Sequence, residues 1–89
     1  MRVINKVIVM VRLEDGDEVT ASVKQNDGAL TLKHKEKLMN RMKQDIEPEV
    51  DNALYYTVRS DINHKKDNWK AKSYDGVVNI VNDIFEELL

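Results

Sequence analysis

The side chains in this sequence that could do chemistry are two histidines, a few serines and many carboxylates, because there is no cysteine. That absence removes a thiol nucleophile, a thiolate metal site and a disulfide framework. His34 stands between Lys33 and Lys35, and His64 beside Lys65 and Lys66. Those lysines repel a cation, and no further ligand stands at metal-binding spacing. Glu14-Asp15-Gly16-Asp17-Glu18 gathers carboxylates around a glycine but lacks the alternating acids and closing glutamate of an EF-hand loop. It reads as a solvated hairpin tip. Ser22, Ser60 and Ser73 have no histidine near them in sequence to act as a base. The glycines stand singly, so no loop is built to cradle phosphate. The expectation is a chain with no enzymatic activity, no catalytic residues, no metal and no cofactor.

The cations are sorted more clearly. Lys33, Lys35, Lys37, Arg41 and Lys43 form one basic block, relieved by Glu36. Arg59, Lys65, Lys66, Lys70 and Lys72 form a second around Trp69, diluted by Asp61 and Asp67. Lysines neutralise phosphates and an exposed aromatic stacks on a base. Lys33, Lys37, Arg41, Lys65, Lys66, Trp69, Lys70 and Lys72 are therefore the nucleic-acid candidates. Against them stands a net charge of −2, without the basic excess of such binders. Aromatics in strands also face a core more often than a ligand, and charge runs are commonly solvated faces.

The elements that must position these residues follow from periodicity. Val3 to Leu13 is apolar and β-branched enough for a strand, and Glu14-Asp15-Gly16 turns it into a second from Val19 to Lys24. A two-residue loop would set Val9 opposite Ser22 and Val11 opposite Thr20. A three-residue loop, with Gly16 in the left-handed position, sets Val11 opposite Val19, Val9 opposite Ala21 and Val7 opposite Val23. The second register gathers the apolar residues on one face and is preferred. Asn26-Asp27-Gly28 marks another turn. Ala29 to Lys33 then reads either as a short third strand or, with Asp27 as cap, as a helix start.

A helix from Lys35 to Glu47 stacks Leu38, Met39, Met42 and Ile46 in one stripe, with Lys33, Lys37, Arg41 and Gln44 opposite. Lys35 falls inside that stripe, so the helix is expected to begin near it. Pro48 ends the segment. Leu54, Tyr56 and Val58 alternate with Tyr55, Thr57 and Arg59 as a strand. A polar turn over Asn63 to Asn68 leads to a strand with Trp69 and Ala71 on one face. Tyr74, Val77, Val78, Val81, Ile84, Phe85 and Leu88 give the last helix, with Ser73 as N-cap and Asp75 suited to the helix dipole. Glu86 and Glu87 lie at the end that disfavours them. The segment from Trp69 to Leu89, entered through Lys70-Ala71-Lys72-Ser73-Tyr74-Asp75, resembles the end of ribosome hibernation factors, where a strand leads into a helix beside a small sheet. It covers less than a quarter of the chain. The paired strands at the start depart from the single strand of that family, so neither function nor residues carry over.

With 89 residues, the order β-β-(β)-α-β-β-α forms one small α+β domain, residues 1–89. Two amphipathic helices pack on one face of an antiparallel sheet of four or five strands. At 42% hydrophobic residues in a patterned sequence, disorder is excluded. No apolar run reaches membrane-span length and no signal-peptide pattern opens the chain, so the expected location is the cytoplasm. The preferred register turns Ile4, Ile8 and Met10 away from the helices, onto a face that something should cover. They are the protein-interface candidates. The expected partner is an unidentified protein, or the chain itself as a homodimer. The expected role is an adaptor, inhibitor or modulator of a larger assembly, of the kind phages and mobile elements carry. The alternative is nucleic-acid or ribosome-associated binding through the basic surfaces of Lys33–Lys43 and Arg59–Lys72.

Overall fold

The computed structural model describes residues 4–26, 28–62 and 65–86, with backbone alone at Ile4, Ile62, Lys65 and Lys66. Strands β1 (Ile4–Leu13) and β2 (Glu18–Lys24) are followed by helix α1 (Leu32–Asp45) and a 3-10 turn (Glu47–Asn52). Strands β3 (Ala53–Ile62) and β4 (Lys65–Ala71) and helix α2 (Tyr74–Glu86) complete the chain. The strands make one antiparallel sheet in the order β2-β1-β3-β4.

The first hairpin has the register that buries valine on one side. Val7 faces Val23, Val9 faces Ala21 and Val11 faces Val19. Leu13 N–H donates to the Asp17 carbonyl at 2.8 Å and Gly16 N–H to the Leu13 carbonyl at 3.0 Å. That closes a three-residue loop, and Gly16 at φ +94° supplies the left-handed step. Arg12 secures the tip by donating to the Gly16 carbonyl at 3.0 Å and pairing with Glu18.

Rows of side chains run across the strands beneath the helices. One is Ala21, Val9, Val58 and Trp69, and the next Val19, Val11, Tyr56 and Ala71. α1 packs on β2, while α2 packs on β3 and β4. The core closes with Leu30, Leu38, Met42 and Ile46 on one side and Val77, Val81, Ile84 and Phe85 on the other. Burial of this stripe, rather than helix propensity, is the main source of helical stability in α1. Tyr74 and Val78 pack at the margin of the core. Ser73 caps α2, its Oγ accepting the Gly76 N–H at 3.0 Å.

Three expectations are corrected, and the choice left open at Ala29–Lys33 is decided. Ala29–Lys33 is not a third strand: Leu30 is buried ahead of α1, and Leu32 and Lys33 form its first turn. The sheet therefore has four strands, and α1 begins before Lys35. Thr31 is the N-cap; its N–H donates to His34 Nδ1 at 3.0 Å, so the imidazole fills the place that glutamate holds in a capping box. Leu54 is not a core residue but 56% exposed, because a register shift after Arg12 sets Ala53 opposite Leu13 and drops Leu54 from the alternation. Lys65–Asn68 belongs to β4 rather than to a turn, paired with Arg59–Ile62. Asp27, His64, Glu87 and Leu88 lie outside the described residues.

Candidate binding face

Because both helices lie on one side, the even residues of β1, β2 and β4 and the odd residues of β3 form an uncovered face. Its rows read Thr20-Met10-Thr57-Lys70, Ser22-Ile8-Arg59-Asn68 and Lys24-Lys6-Asp61-Lys66. Arg12 lies between Glu18 and Tyr55 at the hairpin end. Ile8 and Met10 sit on β1, a middle strand, and are half-buried, whereas Val7, Val9 and Val11 are wholly buried. Half-burial here comes from neighbouring side chains, since no described element lies above the face. The side chain of Ile4 is outside the described residues, and a bulge between Ile4 and Lys6 interrupts the pairing with β3.

The face is basic. Its described side chains include five cations, Lys6, Arg12, Lys24, Arg59 and Lys70, against two carboxylates, Glu18 and Asp61. Lys6 lies directly opposite Lys24 on β2 and opposite Asp61 on β3. A hollow of about 70 Å³ beside Ile8 is walled by Lys6, Arg59, Ser60 and Asp61. A second, of about 180 Å³, adjoins it through Lys6 and Asp61 and reaches Lys24 and Gln25. Lys70 Nζ stands 5.7 Å from the centre of the Tyr55 ring, a cation–π contact. Among the described residues the one side-chain ion pair is Arg12–Glu18.

The two basic blocks of the sequence do not merge into one surface. Lys33, Lys37 and Arg41 are exposed on α1, which packs over β2 at one edge of the sheet, while Lys65–Lys72 runs along and just beyond β4 at the other. Arg41 donates instead to the Ser22 carbonyl of edge strand β2. Ser22 lies between Ala21 and Val23, whose register-mates on β1 take the inward hydrogen bonds, so its carbonyl points outward and Arg41 blunts the edge. Trp69 lies on the helix side, packed against the core, so it offers no stacking platform on the uncovered face. Lys70 is on that face, Lys72 is exposed just after β4, and the side chains of Lys65 and Lys66 are outside the described set. Lys6, Arg12 and Lys24 were not singled out by sequence. The signal was present: the hairpin register that placed Ile8 and Met10 places these cations beside them.

Of the described histidine and serines, two are engaged in helix caps. His34 and Ser73 cap helices, and Ser22 is exposed on the uncovered face. Ser60 is 2% exposed, with an Oγ that has no hydrogen-bond partner among the described residues. No three potential metal ligands of the His, Cys, Asp or Glu type gather among the described residues. Burial pushes the Tyr56 phenol above its ordinary range, and burial with the Glu47 and Tyr56 charges does the same for Tyr74. Both belong to the helix side of the sheet. A wide, open groove on α1 is lined by Leu32, Lys35, Glu36, Met39 and Asn40. No described helix is long and apolar enough to cross a membrane. Compared with known protein families, curated proteins and solved structures, the chain matches none.

Proposed function

We propose that this chain is a non-catalytic binding protein that docks a protein partner on the uncovered face of its sheet. The observation that carries the reading is the one-sided packing: both helices cover Val7, Val9 and Val11, and no described element covers Ile8 and Met10 between them. An apolar centre ringed by polar and charged side chains is the anatomy of a protein interface. Tyr55, Arg59 and Met10 supply the residue types enriched in such centres. A small chain with this face suits an adaptor, inhibitor or modulator of a larger assembly.

The test is a photo-crosslinking amino acid placed at Met10 in living cells, with Asn79, on the exposed side of α2, as control. Capture of a defined protein from position 10 and not from 79 supports docking. Equal capture from both positions, or none from 10, refutes it.

A further inference from the structure

We infer that the occupant of this face is an acidic protein surface, with carboxylates set around apolar side chains that meet Ile8 and Met10. The inference rests on the docking reading above and adds the chemistry of the partner. Charge complementarity carries it. The whole chain is net negative, at −2, yet the described side chains of this one face carry five cations against two carboxylates. Like charges directly across a strand pair destabilise a sheet, and Lys6 and Lys24 are such a pair, of which Lys6 but not Lys24 has Asp61 opposite it. Asp61 lines both hollows beside Lys6, so a carboxylate from outside would relieve that repulsion where it meets Lys24 and Arg59, the cations with no carboxylate opposite them. Ile8 lines the smaller hollow and Met10 follows it on the same face of β1, so one partner strand or helix can reach both.

The same charges weigh against a second copy. Two such faces related by a two-fold axis would bring Lys6, Arg59 and Lys70 against a like-charged set. Four strands of about seven residues, at about 4.8 Å spacing and 3.4 Å rise, present only about 450 Å² per copy. That is roughly half of what each partner contributes to a standard interface, whether the occupant is a second copy or another protein, so it is the charges that decide between them. Nucleic acid fits less well for a different reason. Tyr55 is the only aromatic of the described face and already has Lys70 over it, while Trp69 faces the core. A phosphate backbone also has nothing to set against Ile8 and Met10.

The full chain would be titrated with three probes while the NMR methyl signals of Ile8 and Met10 are followed. They are an amphipathic leucine–glutamate peptide, the same peptide with lysine for glutamate, and single-stranded oligodeoxythymidine. The expected result is binding of the glutamate peptide at both methyls, weakened by salt, and at least about tenfold tighter than the lysine peptide. Lys6→Glu with Arg59→Glu should reverse that preference, and Lys70→Glu alone should weaken it if the double variant fails to fold. Tighter binding of the oligonucleotide, equal binding of both peptides, no binding at these methyls, or self-association at low salt by light scattering overturns the inference. A protein captured from Met10 but not Asn79, with no preference for the glutamate peptide, overturns only the acidic partner. Absence of capture from position 10 overturns the docking reading itself.

Discussion

The same substitution at two adjacent residues of β1 tests the one-sided architecture most directly. Val9 has no exposure and lies between Ala21 and Val58 beneath both helices. Glutamate there forfeits about 2 kcal/mol of apolar burial. It also brings a carboxylate into a site with no polar partner, which costs several kcal/mol more, ionised or protonated. A domain of this size has about 5–10 kcal/mol in all, so Val9→Glu should be largely unfolded. Met10, its neighbour, is half-buried between Thr20 and Thr57, with Arg12 and Lys70 on the same face. Glutamate keeps its stem packed there and gains a basic surrounding, so the cost should be about 1 kcal/mol or less. That lowers Tm by about 4–8 °C at most. Urea unfolding followed by Trp69 fluorescence reads both, since Trp69 is the single tryptophan and packs against the core. If Met10→Glu unfolds the chain as Val9→Glu does, the face is covered in solution and the reasoning behind the binding site fails.

Three further outcomes follow from the local chemistry. Tyr56 and Tyr74 have phenols raised above the ordinary value of 10.0, so their neutral forms stabilise the fold fully below that pH. Stability should then fall as pH rises from 10 through their folded values, because the unfolded chain ionises first; urea midpoints against pH will show less of this loss in Tyr56→Phe and Tyr74→Phe. His34→Ala removes the acceptor for the Thr31 N–H and should cost about 0.5–1 kcal/mol, whereas His34→Glu should restore it, as thermal melts will show. Gly16→Ala meets no neighbour within 4 Å but must hold φ +94°, so a loss of about 1 kcal/mol by chemical denaturation is expected from backbone conformation alone.

What was legible in the sequence was whatever a local rule constrains twice. The first hairpin could be registered because the left-handed freedom of Gly16 and the alternation of Val7, Val9 and Val11 required the same loop. Ser73 could be read as a cap because the spacing of Val77, Val78 and Val81 set the helix start independently. Leu30 and Leu32 had only a spacing of two, which fits a strand as well as a buried residue followed by a helix turn. The deciding signal was a capping box with histidine in place of glutamate, and that was not legible. Leu54 followed the alternation in sequence, but the register shift at Arg12 and Leu13 depends on pairing between distant strands. The basic residues show the same limit. Runs along the chain suggested two blocks, whereas the strand order joins Lys6, Lys24, Arg59 and Lys70 from four different strands.

That rearrangement also sets how a partner would approach. The Glu14 N–H donates to the Asn52 carbonyl at 2.9 Å, tying the hairpin tip to the 3-10 turn. Glu14, Asp15 and Asp17 therefore sit at the same end of the sheet as Glu47, Glu49 and Asp51. α2 adds Asp75, Asp83 and Glu86 on the helix side with no described cation of its own. Lys6 and Lys24 lie at the opposite end of the hairpin, where β1 begins and β2 ends. The net charge of −2 thus conceals a divided field, basic on the uncovered face and along α1 and acidic at the hairpin end and along α2. Such a field gives little overall attraction but turns the hairpin end and α2 away from an approaching acidic surface, and the uncovered face sets Ile8 and Met10 among its cations. With a contact area as small as this face allows, orientation rather than burial should decide the rate of association. Salt should accordingly slow binding more than it speeds release, which stopped-flow measurement can separate from a purely apolar interface, where neither rate responds.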